Sequence, residues 1–412
     1  MQNRVSFFEY FFVSRNAILA LKTKNGVFQF MLLKLLISLV AQPLLWCMIL
    51  AGYLVSRRRI KRERRTFHIA IDSRLNEFKA FFIYGIPLGI VLSAVTILLS
   101  LKLSAAGWVI YQVVGLLALL LTASFVWPTA AVLLTTVVTV VLLPNSWRLA
   151  VPAFTDHVTT NRLIATSLFF LMAVSALASV ILRKRLALRN LSPQITESNR
   201  GRRTGYFQAQ QLALVPLAFL VPGSKLTSGL FAWSTFQFSG EQYHLVILPL
   251  LIGFLLTVRQ QLPAVQIKQQ NKWQLVTGVV SLVAAGIVYL QPQFFLPLLV
   301  IVAIVTFGSW LEMRRTHGII HYTEPFSGVM VLGIQPETPA AKMDLVAGDI
   351  ILECNNQTVH DEDSFYAARM TDPTYCHLRV KTVTGDIKIT ESAIFADSPH
   401  NLGVMTFPEQ TV

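Results

Sequence analysis

Long apolar stretches separated by short basic segments fill the first three quarters of the chain, and short alternating blocks replace them toward the C-terminus. A helix needs about 20 apolar residues to cross a bilayer. Runs near that length are expected as spans at about 32–55, 81–101, 108–127, 129–143, 163–182, 212–221, 245–258, 275–290 and 294–310. The run at 212–221 is short, and Pro216 and Pro222 flank its centre. Pro128 separates two runs so tightly that they are expected to form a membrane hairpin. Residues 1–30 crowd aromatics around Glu9 and Arg15, which predicts a helix lying in the membrane interface.

Beyond Tyr322 the pattern shortens. Gly328–Ile334 and Ile350–Cys354 are predicted strands, with a short helix over Ala340–Leu345 between them. Asn355-Asn356 predicts a turn, and Ser364–Met370 a helix with Asp361, Glu362 and Asp363 at its positive end. A strand is expected at His377–Val383, a hairpin turn at Thr384-Gly385-Asp386 and a return strand at Ile387–Ile389. The segments Thr338-Pro-Ala-Ala and Leu345-Val-Ala-Gly-Asp-Ile-Ile-Leu resemble the PDZ domains of bacterial envelope proteins. Asp344 stands where that family usually has glycine; aspartate tolerates the left-handed conformation. By this resemblance, a partner peptide adds beside a strand, with its end held by the loop His317, Gly318, Ile319 and Ile320. Phe365 and Ala368 would line the helix side. His317 replaces a hydrophobic residue of the family pattern, which leaves an internal segment as an alternative ligand to a free C-terminus.

The expected fold class is therefore a polytopic α-helical membrane domain followed by a small α+β PDZ domain. The expected boundaries are 1–310 for about eight or nine transmembrane helices, 316–395 for the PDZ domain and 396–412 for a tail. Composition agrees: 54% of the 412 residues are hydrophobic and 14% charged, against roughly 25% charged in soluble domains. The net charge of +14 divides unevenly, +22 before Tyr322 and −8 from it onward. Seven basic residues, Arg57, Arg58, Arg59, Lys61, Arg62, Arg64 and Arg65, follow the first span and mark a cytoplasmic side. They are also candidates for contact with anionic lipid. Basic loops near 56–79 and 183–211, and the clusters near Arg259 and Arg314, all fall on one side if every run crosses. That places the C-terminal domain in the cytoplasm and the N-terminus outside. Basic loops beside spans are a topology signal and no argument for nucleic acid.

No catalytic residue is assigned. The chain lacks His-Glu-x-x-His and Gly-x-Ser-x-Gly, and its eight histidines and three cysteines show no metal spacing. No metal or cofactor is expected. The apolar runs carry almost no ionisable residues at mid-span, which lowers a transporter reading.

The whole layout resembles one family. Gln42-Pro-Leu-Leu-Trp46 leads into Arg59-Ile-Lys-Arg-Glu-Arg-Arg-Thr-Phe-His68; later come Val215-Pro-Leu-Ala-Phe-Leu-Val-Pro-Gly223 and the tail Asn401-Leu-Gly-Val-Met-Thr-Phe-Pro408. These segments resemble the MinJ family of division-topology proteins of Gram-positive rods. The resemblance implies a non-enzymatic membrane scaffold, enriched at septa and poles. It would bridge a DivIVA-like polar scaffold and a MinD-like ATPase, with other division proteins as further partners. Two alternatives stay open: a PDZ-bearing adaptor presenting substrates to a protease or secretion system, and a transporter with a regulatory PDZ domain.

Overall fold

The computed structural model describes residues 39–67, 70–72, 74–121, 128–142, 162–197, 201–222, 235–238, 241–315, 322–394 and 402–408. The expected interfacial helix, the start of the first span, the loop His317–Ile320 and Asn401 lie outside the described residues. The chain runs through α1 (Pro43–Phe67), α2 (Asn76–Leu98), α3 (Ala105–Leu121), α4 (Pro128–Val137) and α5 (Arg162–Leu186). A β-rich stretch follows: β1 (Ser192–Glu197), β2 (Arg203–Pro222), β3 (Thr235–Phe238) and β4 (Glu241–Val258). Two more helices, α6 (Pro263–Leu290) and α7 (Phe295–Arg314), close this N-terminal block.

Four helical segments, Asn76–Leu98, Arg162–Leu186, Pro263–Leu290 and Pro292–Arg314, are long and apolar enough to cross a membrane. Exposed Ile83, Ile90 and Leu98 on α2, Leu282 and Leu290 on α6, and Val300, Ile304 and Phe307 on α7 make an apolar exterior. A soluble surface does not carry so large an apolar face. α5 differs from its neighbours: most of its apolar length is buried inside the protein. It lies between the sheet and α6, and Gly278 of α6 sits so close that a Cβ there would come within 2.7 Å of Leu177.

Two expected spans are strands instead. Residues 212–221 and 245–258 lie in β2 and β4, which pair antiparallel from Phe207↔Val258 to Pro222↔Tyr243 in a sheet ordered β1-β2-β4-β3. A continuous apolar run looks the same in a buried strand and a buried helix. The prolines decide between them. In a helix interior each would cost about 3 kcal/mol. Here Pro216 and Pro249 stand opposite each other. Leu251 N–H and Ala218 N–H, two residues on along each strand, point out of the hairpin to side-chain partners. By the two-residue period of a strand, both proline nitrogens face outward too, so no ladder bond is lost.

Residues of both strands are buried almost throughout, Val215, Leu217, Leu248, Leu250 and Leu256 completely. A strand at membrane depth is tolerated only where protein covers its unpaired edge. Here the helices do so. α2 runs beside β2 with its small residues facing it: a Cβ on Gly89 would come within 2.7 Å of Pro216 O, and one on Gly85 would collide with Leu214 O. Ser93 Oγ donates to Pro216 O (3.2 Å) and accepts from Ala218 N–H (2.9 Å), while Thr96 Oγ1 donates to Ala218 O (2.6 Å). Beyond the helix end, Leu103 N–H donates to Leu220 O (2.9 Å). The outer edge of β4 is met by Gln42 Nε2, donating to Ile247 O (2.6 Å), and by Tyr111 Oη, accepting from Leu251 N–H (2.8 Å).

The C-terminal region follows the sequence expectation more closely. It comprises β5 (Val329–Met330), β6 (Gly333–Ile334), α8 (Pro339–Lys342), β7 (Ile350–Cys354), β8 (Gln357–Thr358), α9 (Glu362–Met370), β9 (Tyr375–Lys381), β10 (Ile387–Ala393) and β11 (Val404–Met405). One sheet runs β10-β9-β7-β5 with β8 on β7, and β11 pairs with β6. The Asn355-Asn356 turn has positive φ at both residues, 49° and 63°, and Asp344 has φ 52°. Asp361 caps α9 in a reciprocal pair with Ser364.

Candidate functional site

Two places concentrate polar and charged groups: the seam joining the C-terminal region to the sheet, and the basic half of α1.

The seam is built on backbone. β4 stops pairing at Val258↔Phe207, and the segment Tyr322–Glu324 takes over the same edge of β2. Thr323 bridges antiparallel to Thr204; Gly205 N–H donates to Tyr322 O (2.6 Å) and Glu324 N–H to Arg203 O (3.1 Å). Tyr322 is fully buried, its ring edge-on to Phe207 at 4.7 Å and its hydroxyl donating to Gln261 O (2.8 Å). Burial pushes the Tyr322 phenol up to about 12. Met330, Leu332 and Phe407 join the core of the N-terminal block, not that of the C-terminal region. Arg203 closes the seam: its guanidinium pairs with Glu324, donates to Pro408 O and lies 5.7 Å from the Phe407 ring. Arg74 adds an exposed pair with Glu337 at 2.9 Å.

Beside the seam, Glu324, Pro325, Val329, Met330 and the α9 start at His360–Asp363 line a small pocket of about 90 Å³, with Arg203 on its rim. Hydrogen bonds from Ser364 hold the Asp361 carboxyl below the usual carboxylate range. Of the predicted peptide-site residues, Phe365 and Ala368 are buried in the core of the C-terminal region with Val329, Leu345 and Leu378. His317, Gly318, Ile319 and Ile320 lie outside the described residues. Sequence reasoning missed Arg203, Tyr322 and Gly205. Their partners are remote in the chain, Glu324 lying 121 residues from Arg203.

The basic cluster on α1 splits by helical face. Arg57, Arg58, Lys61, Arg64 and Arg65 are exposed. Arg59 is buried, and it is the centre of an ion cluster. Its Nε donates to Glu77 Oε1 (2.6 Å), and its terminal nitrogens reach Glu63 (3.3 Å), Asp72 O (3.0 Å) and Arg74 O (3.0 Å). Ser56 Oγ donates to Glu77 Oε2 (2.9 Å), and Ile71 N–H to Glu63 Oε2 (3.0 Å). Burial lowers the affinity of the Arg59 guanidinium for its proton, but Glu77 and Glu63 outweigh it and the pKa is raised. The cluster ties the loop after α1 back onto the helix and fixes where α2 begins. Arg62 is half-buried, its Nη1 donating to Gln208 Oε1 on β2 (3.2 Å). Burial lowers its pKa. Among the described residues no group of three or more His, Cys, Asp or Glu is placed to hold a metal.

No family model matches the chain. Curated relatives do. The chain is 29% identical over 366 residues to a protein of Lacticaseibacillus paracasei named probable cell division topological determinant MinJ, covering 86% of this chain and 92% of the relative. A protein of the same name from Lacticaseibacillus casei strain BD-II matches to the same extent. The cell division topological determinant MinJ of Bacillus subtilis strain 168 is 25% identical over 365 residues, covering 88% of this chain and 91% of that protein. These likenesses run through the membrane block and the C-terminal region alike, since either alone is too short to supply the matched length.

Proposed function

We propose that this chain, a homologue of the MinJ cell division topological determinants, is a non-catalytic membrane scaffold for division-site placement. The observation that carries the reading is homology over 86% of the chain and 92% of the relative. In this reading the C-terminal region is a PDZ domain on the cytoplasmic side. The β2/β4 hairpin enters and leaves the membrane block from one side, so replacing two crossings by it preserves the shared side of the basic clusters. The pocket beside Glu324 and the start of α9 is the surface offered to a partner segment. Pairing of Tyr322–Glu324 with β2 supports recognition of a segment at that pocket over addition of a strand at an edge already in use. The partners, by analogy with the family, are a DivIVA-like polar scaffold and a MinD-like ATPase. Membrane embedding would raise their effective concentration at one place without any reaction.

The test is fluorescence imaging of a tagged full chain in a dividing Gram-positive rod lacking its own MinJ-like protein. Signal at septa and poles, with fewer filaments and minicells, is expected. An even membrane signal with no rescue would overturn the division-topology reading.

A further inference from the structure

Where the basic half of α1 crosses the base of β2, the two enclose a polar cavity of about 110 Å³. Val55, Arg58, Arg59, Arg62, Glu77, Asn190, Gln208 and Gln210 line it. The volume is well above the ~10–15 Å³ that admits a single water. Two of the lining residues carry a buried polar atom, Arg62 Nε and Asn190 Oδ1, that makes no hydrogen bond within the protein. Such atoms are costly to leave unpaired in a protein interior. The charges do not balance either. Arg59 and Glu77 are paired with each other, which leaves Arg58 and Arg62 among the lining residues with no ion pair to a carboxylate of the lining. Arg62 is half-buried, and that burial strips water from its charge.

We propose that this cavity seats the phosphate of an anionic phospholipid whose headgroup carries a hydroxyl. Its place in the fold points to lipid. Val55, the last apolar residue before the basic run, forms its apolar lip, and exposed Leu50 and Leu54 continue the same helix toward the membrane. An acyl chain can lie along them while the phosphodiester turns inward. Arg62 Nε and the Arg58 guanidinium donate to the phosphate oxygens, and Asn190 Oδ1 accepts from the headgroup hydroxyl. A choline headgroup has no hydroxyl for Asn190, and Glu77, the carboxylate lining the cavity, is held by Arg59 and Ser56. The site is thus selective for phosphatidylglycerol-like over phosphatidylcholine-like lipid. It does not depend on the division-placement reading.

The full chain in nanodiscs of equal phosphatidylglycerol and phosphatidylcholine is extracted into mild detergent, and bound phospholipid is counted by native mass spectrometry. One retained phosphatidylglycerol, enriched over phosphatidylcholine, is expected. Gln208→Glu places a carboxylate beside Arg62 and should lower that retention at least tenfold while leaving the protein folded. Arg62→Met should do the same and serves as the second variant. Arg64→Gln, which removes an exposed charge outside the cavity, should change it less than twofold. Equal losses in Arg64→Gln and Gln208→Glu would mean diffuse surface attraction and overturn the site. So would retention of inorganic phosphate with no phospholipid, or no enrichment at all.

Discussion

The two β-structured parts of the molecule satisfy the same backbone in opposite ways. In the C-terminal region, strands pair with one another, and the sheet ends in a strand, β10, with exposed Ile387 and Ile389 beside water. In the membrane block, helices cover the edges of the β2/β4 hairpin, and side chains complete it: Ser93 and Thr96 of α2, Tyr111 of α3, and Gln42 just ahead of α1. A short-range sheet can be assembled from local rules. An edge finished by partners more than 100 residues away, as Thr96 is from Ala218, cannot.

The sharpest way to break the comparison is to release α2 from the membrane half alone. All seven tryptophans precede residue 311, so their fluorescence follows the membrane block and ignores unfolding of the C-terminal region. Glu77→Ala removes one of the two acids of a buried arginine; loss of such a partner costs about 3–5 kcal/mol. The tryptophan-detected unfolding in detergent should move by that much, and an unchanged transition would refute the role given to the Arg59 cluster. Gly89→Leu forces a side chain against Pro216 O and should cost roughly 3 kcal/mol through overpacking. Full recovery of folded protein would show that α2 need not touch β2.

Thr96→Val and Asp361→Ala sharpen the comparison by removing one backbone partner from each half. Thr96→Val leaves Ala218 O without its 2.6 Å donor, a loss of about 1–3 kcal/mol. Asp361→Ala removes the cap of α9, worth about 1 kcal/mol, and hydrogen exchange over 362–370 reads it without disturbing the tryptophan signal. The cap also carries a pH sign. The Asp361 carboxyl is depressed in the folded protein, so its contribution is present above the ordinary aspartate pKa of about 3.9 and is lost as pH falls through the lower folded value. The smallest effect belongs to Arg74→Ala: its pair with Glu337 is solvent-exposed, and the unfolding transition should not move measurably.

The C-terminal region was the more legible half. Its turns are spelled locally, by Asn355-Asn356 and by Asp344 in a left-handed conformation. In the membrane block, most apolar runs became helices near their expected limits, but the hairpin was hidden because hydrophobicity without alternation carries no period. Pro216 and Pro249 were the available signal, one in the middle of each run. The basic segment after the first span was legible as a charge cluster. That Arg59 is a buried structural residue was not, since Glu77 lies eighteen positions away across a turn. The seam was invisible for a plainer reason: residues 203–205 and 322–324 pair through backbone groups that every residue possesses.

That seam has a mechanical consequence. β2 is one strand, paired with β4 and flanked by helices along 207–222, and gripping Tyr322–Glu324 at its near end. A load applied to the C-terminal region is therefore delivered to a stiff rod embedded in the bundle and not absorbed by a slack tether. Whatever this region holds is held at a set distance and heading from the helical bundle, and a sideways pull on it becomes a torque on that bundle.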